Sequence, residues 1–480
     1  MFKSLVFENQ SKFTNHLWLY FLLVFSVNFI FKITDLSFAS FNYDEIISVQ
    51  SASLDFGHIK HVSEWDNNPP FYYYCLKIWV KIFSDTEFMV RLLSVVFSSL
   101  AGGVVFLIAN SYFNKITAFV TSLLFLSSNL LFYYSHDARA YSLVLLLSLL
   151  STFIYFNLKD KTEIKDILLL GLINFLLIYS HYIAGLVLFF QTILMLFYFN
   201  KKQKKYFLLS LLVMVLLTLL RFTKKQFLLI MGFNSPKNIF WLKKSDVNYL
   251  KEVIVTFFFN EIFSIIFCAI IIVVILFAFL RKEKRATQFY LLYSVLLSFG
   301  SILILYVLGK FTPIFLDRYL IFAVPFLFIM VGYGLSFIKN TNITISLAIV
   351  FCLFSSFNIN FETDKGMDYR GTVKFILSIK EKNDLIIVKT KDIKPLFCYY
   401  YDKDFFSMQK KNLSESENII FCNAWQDVGI NVKKYNRIIV IDSFQEYNPN
   451  EKEFVLKLTE QKKYYFTTNY FKGVKISFYK

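Results

Sequence analysis

Residues 133–150 read YYSHDARAYSLVLLLSLL, a turn bearing Asp137 and Arg139 set between two long apolar runs. A charge at the centre of a bilayer costs ~2.5–3.5 kcal/mol or more on insertion scales, so a lipid-embedded chain keeps its charges at helix ends. The stretch therefore reads as two helices that meet at a membrane surface. Searching outward for runs of ~20 apolar residues, the length that crosses ~30 Å of hydrocarbon, gives eleven segments. They lie at about 15–35, 89–110, 117–135, 140–157, 166–180, 182–199, 206–222, 259–280, 287–308, 319–338 and 342–360. The fifth and sixth meet at Ser180 and His181.

Composition agrees. Of 480 residues, 56% are hydrophobic and 20% aromatic, against ~45–50% apolar in ordinary soluble domains. Intrinsic disorder is excluded by the aromatic content, and collagen by 14 Gly and 7 Pro. A purely soluble enzyme does not fit. The net charge of +17 would suggest nucleic acid in a soluble protein. Here residues 1–360 hold 30 basic and 18 acidic side chains, so most of the excess lies in the apolar part. Basic loops anchoring helices account for it, and no nucleic-acid partner is expected.

Short cytoplasmic loops retain Lys and Arg. With the N-terminus inside, the inner segments carry 15 basic residues against five acids, and thirteen of the eighteen acids before residue 361 fall on the other side. An odd number of spans puts the tail outside. The first run is long and lacks a small-residue cleavage site, so it is expected to stay as a helix. The 60 Phe residues and abundant Lys suggest an AT-rich bacterial source, hence a bacterial inner membrane.

Past residue 360 the texture changes. Strand-like pieces begin at 384 (DLIIVKT), 418 (NIIFCNA), 437 (RIIVIDSF) and 463 (KYYFTTNY), with helical periodicity at 372 (TVKFILSIKEK) and 451 (EKEFVLKLTEQKK). The expected organisation is a polytopic α-helical membrane domain over 1–360, with an outer loop at 36–88, and a small extracytoplasmic α/β domain over 361–480. Five cysteines without a CxxC pair exclude a disulfide scaffold and a structural zinc site. Only Cys398 and Cys422 share the tail, where a bridge is open to them.

Polar residues gather at the outer helix ends. Asp44 and Glu45 in FNYDEIISVQSA read alone as a solvated loop or an acidic helix start; beside the membrane they become candidates for a base and an acceptor or metal contact. EWDNNPPFYYYCLKIWVKIF, from Glu64 to Phe83, reads alone as an amphipathic helix on the interface. Arg139 suits phosphate through its planar fork, or forms an ion pair at a turn. His181 suits a cap as well as a ligand contact, and Arg318 could simply snorkel from a helix end.

In order and spacing, YDE at 43, NNPPFYYYCLKIW at 67, RLLSVVFSSLAG at 91, SHDARAYSLVLLL at 135, HY at 181, DRYLIFAVP at 317 and DYRGTVKFI at 368 resemble the C-type glycosyltransferase (GT-C) superfamily. The similarity is to its branch of protein O-mannosyltransferases and bacterial lipid A aminoarabinose transferases. That resemblance implies the GT-C fold with about 11 transmembrane helices. It also implies inverting transfer of a sugar from a polyprenyl-phosphate-linked donor to a lipid, glycan or protein acceptor outside the cytoplasm. It makes Asp44 the general base and Glu45 its helper, and Arg139 and Arg318 the donor phosphate contacts. Asp137, His181, Asn68 and Tyr72 become substrate contacts. Glu45, Asp137 and His181 become candidate ligands for a divalent metal ion. The chain departs from the pattern at Asn68, where relatives often carry His.

Two other functions use similar parts. A glycolipid flippase would place charges near the midplane and break helices in related halves, whereas these charges lie at one surface. A polysaccharide polymerase or ligase using lipid-linked sugars would make long products.

Overall fold

The computed structural model describes residues 14–62, 66, 68–160, 163–226, 245–280, 285–312, 314–362, 366–406, 417–443, 451–461 and 463–480. The chain divides into two compact units. One is Met1–Thr34, Phe56–Trp79 and Met89–Phe361; the other is Asp35–Asp55, Val80–Phe88 and Glu362–Lys480.

The first unit is helical. Among the described residues, five helices are long and apolar enough to cross a membrane: Glu87–Tyr112, Tyr141–Asp160, Lys201–Arg221, Glu261–Ala278 and Arg285–Leu308. A sixth span results if Lys115–Leu126 and Asn129–Ser135, bent by 59°, count as one. Four shorter apolar helices, Leu17–Lys32, Tyr182–Tyr198, Val324–Leu335 and Thr341–Phe357, fall where further apolar runs were read. The helix Ile164–Ile178 falls on the run read at 166–180, so the eleven runs correspond to helices of unequal length, and among the described residues those long enough to span by themselves number fewer than eleven.

Packing sorts the side chains. Tyr141–Asp160 is buried almost all round, whereas Lys201–Arg221 turns Leu208, Leu212, Leu216 and Leu220 outward. An apolar face of that kind belongs against lipid. Where hydrocarbon surrounds the helices, hydrophobicity no longer pulls them together, and small or polar residues do the joining. Gly171 lets two helices approach until a Cβ there would lie 2.6 Å from Ser210 O. Ser151 Oγ donates to Asn174 Oδ1 at 2.6 Å and accepts from Gln191 Nε2 at 2.8 Å, tying three helices in the interior.

The second unit holds a five-stranded sheet in the order β2-β1-β3-β5-β4, formed by β1 Asp384–Lys389, β2 Ile419–Cys422, β3 Arg437–Asp442, β4 Tyr465–Phe471 and β5 Val474–Tyr479. Strand β1 pairs in parallel with β2 and β3; β5 runs antiparallel to β3 and β4. Parallel strands covered on both faces read as unbroken apolar runs, as LIIV in β1 and IIVI in β3 do. The helices Tyr369–Ile379 and Glu451–Glu460 form where periodicity placed them. Strand β5 was not foreseen; it returns from β4 through Gly473, whose φ of +66° suits a residue without Cβ. Cys398 and Cys422 are both buried and free, so the bridge open to them does not form.

Segments 35–55 and 80–88 also belong to this unit. Tyr400 Oη accepts from Phe41 N at 2.7 Å and donates to Glu87 Oε1 at 2.9 Å. Lys403 Nζ lies 2.6 Å from Asp85 Oδ1.

Candidate active site

Two local devices place the polar residues of the helical unit. Ser128 caps Asn129–Ser135, and that short helix ends at His136, leaving HDAR as a tight turn before Tyr141–Asp160. Its register is held by Arg139 N donating to Asp137 O at 2.8 Å, and by Ser94 Oγ donating to the same carbonyl at 2.8 Å. The second device is Pro69 and Pro70. Proline fixes φ at a helix start, and the helix Phe71–Ile82 follows, with Tyr73 N and Tyr74 N bonded to Pro70 O. Phe71 N donates to Tyr179 O at 3.1 Å, which docks this start on the residue before Ser180 and His181.

These devices bring Arg139 against Asp66. Arg139 Nη1 lies 3.1 Å from Asp66 Oδ2 and 3.2 Å from Tyr73 Oη. Tyr73 also donates to Asp66 Oδ2, and Asn68 Nδ2 donates to Asp66 Oδ1 at 2.9 Å. Burial alone would push the Asp66 carboxyl up. The Arg139 charge and the hydrogen bonds from Tyr73, Arg139 and Asn68 outweigh it, holding the group below the usual carboxylate range. The ion pair weighed for Arg139 therefore exists, with a partner 73 residues away.

A second cluster adjoins it. Tyr134 Oη donates to Asp317 Oδ1 at 2.9 Å, and the same oxygen accepts from Arg318 N at 2.7 Å. The Arg318 guanidinium stands over the rings of Tyr319 and Tyr141, 5.6 and 6.0 Å from their centres. The His181 ring lies 4.9 Å from that of Tyr319 and 6.3 Å from that of Tyr141. Burial first, then the charges of Arg139 and Arg318, push the imidazole down to about 4, with Asp66 opposing. Arg139, Asn68, His181 and Arg318 thus share one neighbourhood. Tyr72 is fully buried, its hydroxyl 3.3 Å from Ser94 Oγ, so it is linked to the HDAR turn through Ser94.

Asp44 and Glu45 lie in the second unit, in the first turn of the helix Tyr43–Ser53. Asn42 Oδ1 accepts from Glu45 N at 2.8 Å and Glu45 Oε2 accepts from Asn42 N at 3.1 Å, a reciprocal capping box. The plain reading of an acidic helix start describes their local structure. Glu45 is fully buried and Asp44 half-buried.

Among the described residues no three His, Cys, Asp or Glu side chains gather where they could hold a metal ion. Of the metal ligands suggested from sequence, Glu45 belongs to the second unit and Asp137 and His181 to the first, and they form no such group. Asp66, Tyr73, Tyr134 and Tyr141 were not singled out from sequence. The available signal was the position of Asp66 two residues before Asn68 in the same motif.

Residues 67–222 match the family described as dolichyl-phosphate-mannose-protein mannosyltransferase. No curated protein matches the sequence. Among solved structures, ArnT from Cupriavidus metallidurans in the apo state superposes with a TM-score of 0.60 at 12% identity, covering 95% of this chain and 97% of that one. The same protein bound to undecaprenyl phosphate gives 0.59 at 12% identity, with the same coverage. The archaeal oligosaccharyltransferase AglB from Archaeoglobus fulgidus, in complex with an inhibitory peptide and a dolichol-phosphate, gives 0.56 at 9% identity, over 91% of this chain and 70% of that one. The chain thus has the multi-pass membrane fold of the C-type glycosyltransferases, and residues 67–222 carry the sequence signature of one of their families, the dolichyl-phosphate-mannose-protein mannosyltransferases.

Proposed function

We propose that this protein transfers a sugar from a polyprenyl-phosphate carrier to a lipid, glycan or protein acceptor on the extracytoplasmic side of a bacterial inner membrane. The observation that carries the reading is the buried Arg139, held by Asp66 and Tyr73 next to Arg318 and His181. That two solved structures of this fold contain polyprenyl phosphates supports it.

The chemistry is displacement at the anomeric carbon as a phosphate departs. The leaving group needs no proton; it needs its developing charge met by preorganised donors. Arg139 supplies a planar fork. Its pairing with Asp66 neutralises it at rest, so Arg318 is the second cation the phosphate calls on. Asp44 takes the acceptor proton as attack proceeds, and Glu45, locked in its capping box, holds the start of that helix. A carboxylate is a weak base toward a hydroxyl at rest, useful as that hydroxyl acidifies in the transition state.

The test is mass spectrometry of lipid-linked sugars and glycans from cells with and without the protein. Loss of one sugar from an acceptor, with its polyprenyl-phosphate form accumulating, is expected. Unchanged glycans and lipid-linked sugars would contradict the reading, and loss of a long polymer would move it to the polymerases.

A further inference from the structure

His181 carries one more piece of chemistry. It is 8% exposed and caps the turn Tyr182–Ala184, with Nδ1 accepting from Ile183 N at 3.3 Å. A neutral imidazole has one donor and one acceptor nitrogen, and the bond made by one fixes the role of the other. With Nδ1 accepting, the ring hydrogen sits on Nε2. That atom has no hydrogen-bond partner among the described residues, and a buried donor left unmade is costly. The surroundings indicate what completes it. Burial and, after it, the charges of Arg139 and Arg318 disfavour a second proton on the ring, with Asp66 opposing. The Arg318 guanidinium stands over the same Tyr319 and Tyr141 rings that the imidazole packs on, so the unmade donor is bordered by a cation, surroundings that an anion completes.

We infer that His181 is a substrate-binding residue that donates Nε2–H to an oxygen of the polyprenyl-linked phosphate, beside Arg139 and Arg318, rather than a metal ligand. A protonated Nε2 offers no lone pair to a cation, and the lone pair of Nδ1 is taken by Ile183. The neutral donor adds direction to a site whose two arginines supply charge. The inference rests on the phosphate reading of Arg139 and Arg318.

The experiment measures undecaprenyl phosphate binding to the purified full-length protein by native mass spectrometry, for wild type, His181→Ala, His181→Gln and Arg139→Ala. Glutamine places an N–H close to the Nε2 position. His181→Ala should bind about tenfold more weakly and His181→Gln within about twofold of wild type. Wild-type affinity in His181→Ala, or no rescue by glutamine, overturns the inference while leaving the phosphate site standing if Arg139→Ala still weakens binding. Undiminished binding by Arg139→Ala removes the phosphate site, and the inference with it. A readout independent of ligand is the spectrum of protein labelled with ¹⁵N-histidine, with the His181 signal identified by its loss in His181→Gln. A protonated Nε2 near neutral pH is expected; a protonated Nδ1 overturns the inference.

Discussion

Arg139 Nη1 lies 3.1 Å from Asp66 Oδ2, and both side chains are largely withdrawn from solvent. The pair joins the turn after Asn129–Ser135 to the loop before Pro69, two pieces of chain 73 residues apart. It fixes the direction of the guanidinium before any ligand arrives.

A buried charge deprived of its partner is penalised more than a pair removed together, commonly by ~3–5 kcal/mol. Asp66→Ala should therefore lower the thermal unfolding temperature in detergent markedly, as should Arg139→Ala. The double variant should lose less than the sum of the two, with a coupling of ~1–3 kcal/mol. Strict additivity would mean that the two side chains do not interact.

Acid should destabilise the protein through His181. Its folded imidazole is held down to about 4, against an ordinary 6.5. Between those values the unfolded chain binds the proton and the folded one does not. Stability is therefore complete above pH 6.5 and declines as pH falls toward 4, by at most about 3 kcal/mol. Asp66, also held low, loses its contribution only below its ordinary 3.8. Thermal denaturation of wild type and His181→Gln between pH 7 and 4 isolates the histidine. The difference between them should grow in wild type's disfavour as pH drops, and a constant difference would refute the assignment.

Asp44→Asn should abolish transfer while leaving expression and membrane insertion intact, because the amide keeps the helix start but accepts no proton. Near-normal turnover would remove Asp44 from the chemistry.

In the second unit Lys389 Nζ pairs with Asp442 Oδ2 at adjacent strand ends, with side chains 2% and 7% exposed. Lys389→Met should cost ~3–5 kcal/mol by leaving Asp442 buried without its cation, seen as faster proteolysis of the region after residue 366. Adding Asp442→Asn should recover much of it. Equal proteolysis of wild type and the single variant would show that the pair is energetically idle.

The legible parts of the chain were those written in local pattern. LIIV at 385 and IIVI at 438 are buried on both faces, and their apolar run announces it. Strand β5 escaped because VKISFY follows a two-residue turn and has Lys475 and Ser477 among its apolar residues. Hydropathy also runs through breaks it cannot see. The run at 117–135 is bent by 59° between Leu126 and Asn129, and the run at 287–308 contains a π turn at Leu296–Gly300. Arg139 was legible because an isolated charge between two apolar runs is expensive. Its partner was not, because Asp66 stands in a loop where any acid could sit in solvent, and only the fold selects this one.

The most direct test of the phosphate site avoids orphaning either charge. In the double variant Asp66→Asn with Arg139→Gln, the buried pair is replaced by two neutral amides that can hydrogen-bond each other and leave no charge without a partner, so the fold should persist. With a polyprenyl-phosphate sugar as donor, kcat/KM should fall by ~10²–10³ while the thermal unfolding temperature stays near that of wild type. Wild-type kcat/KM in that variant would show that Arg139 does no more than hold the loop in place.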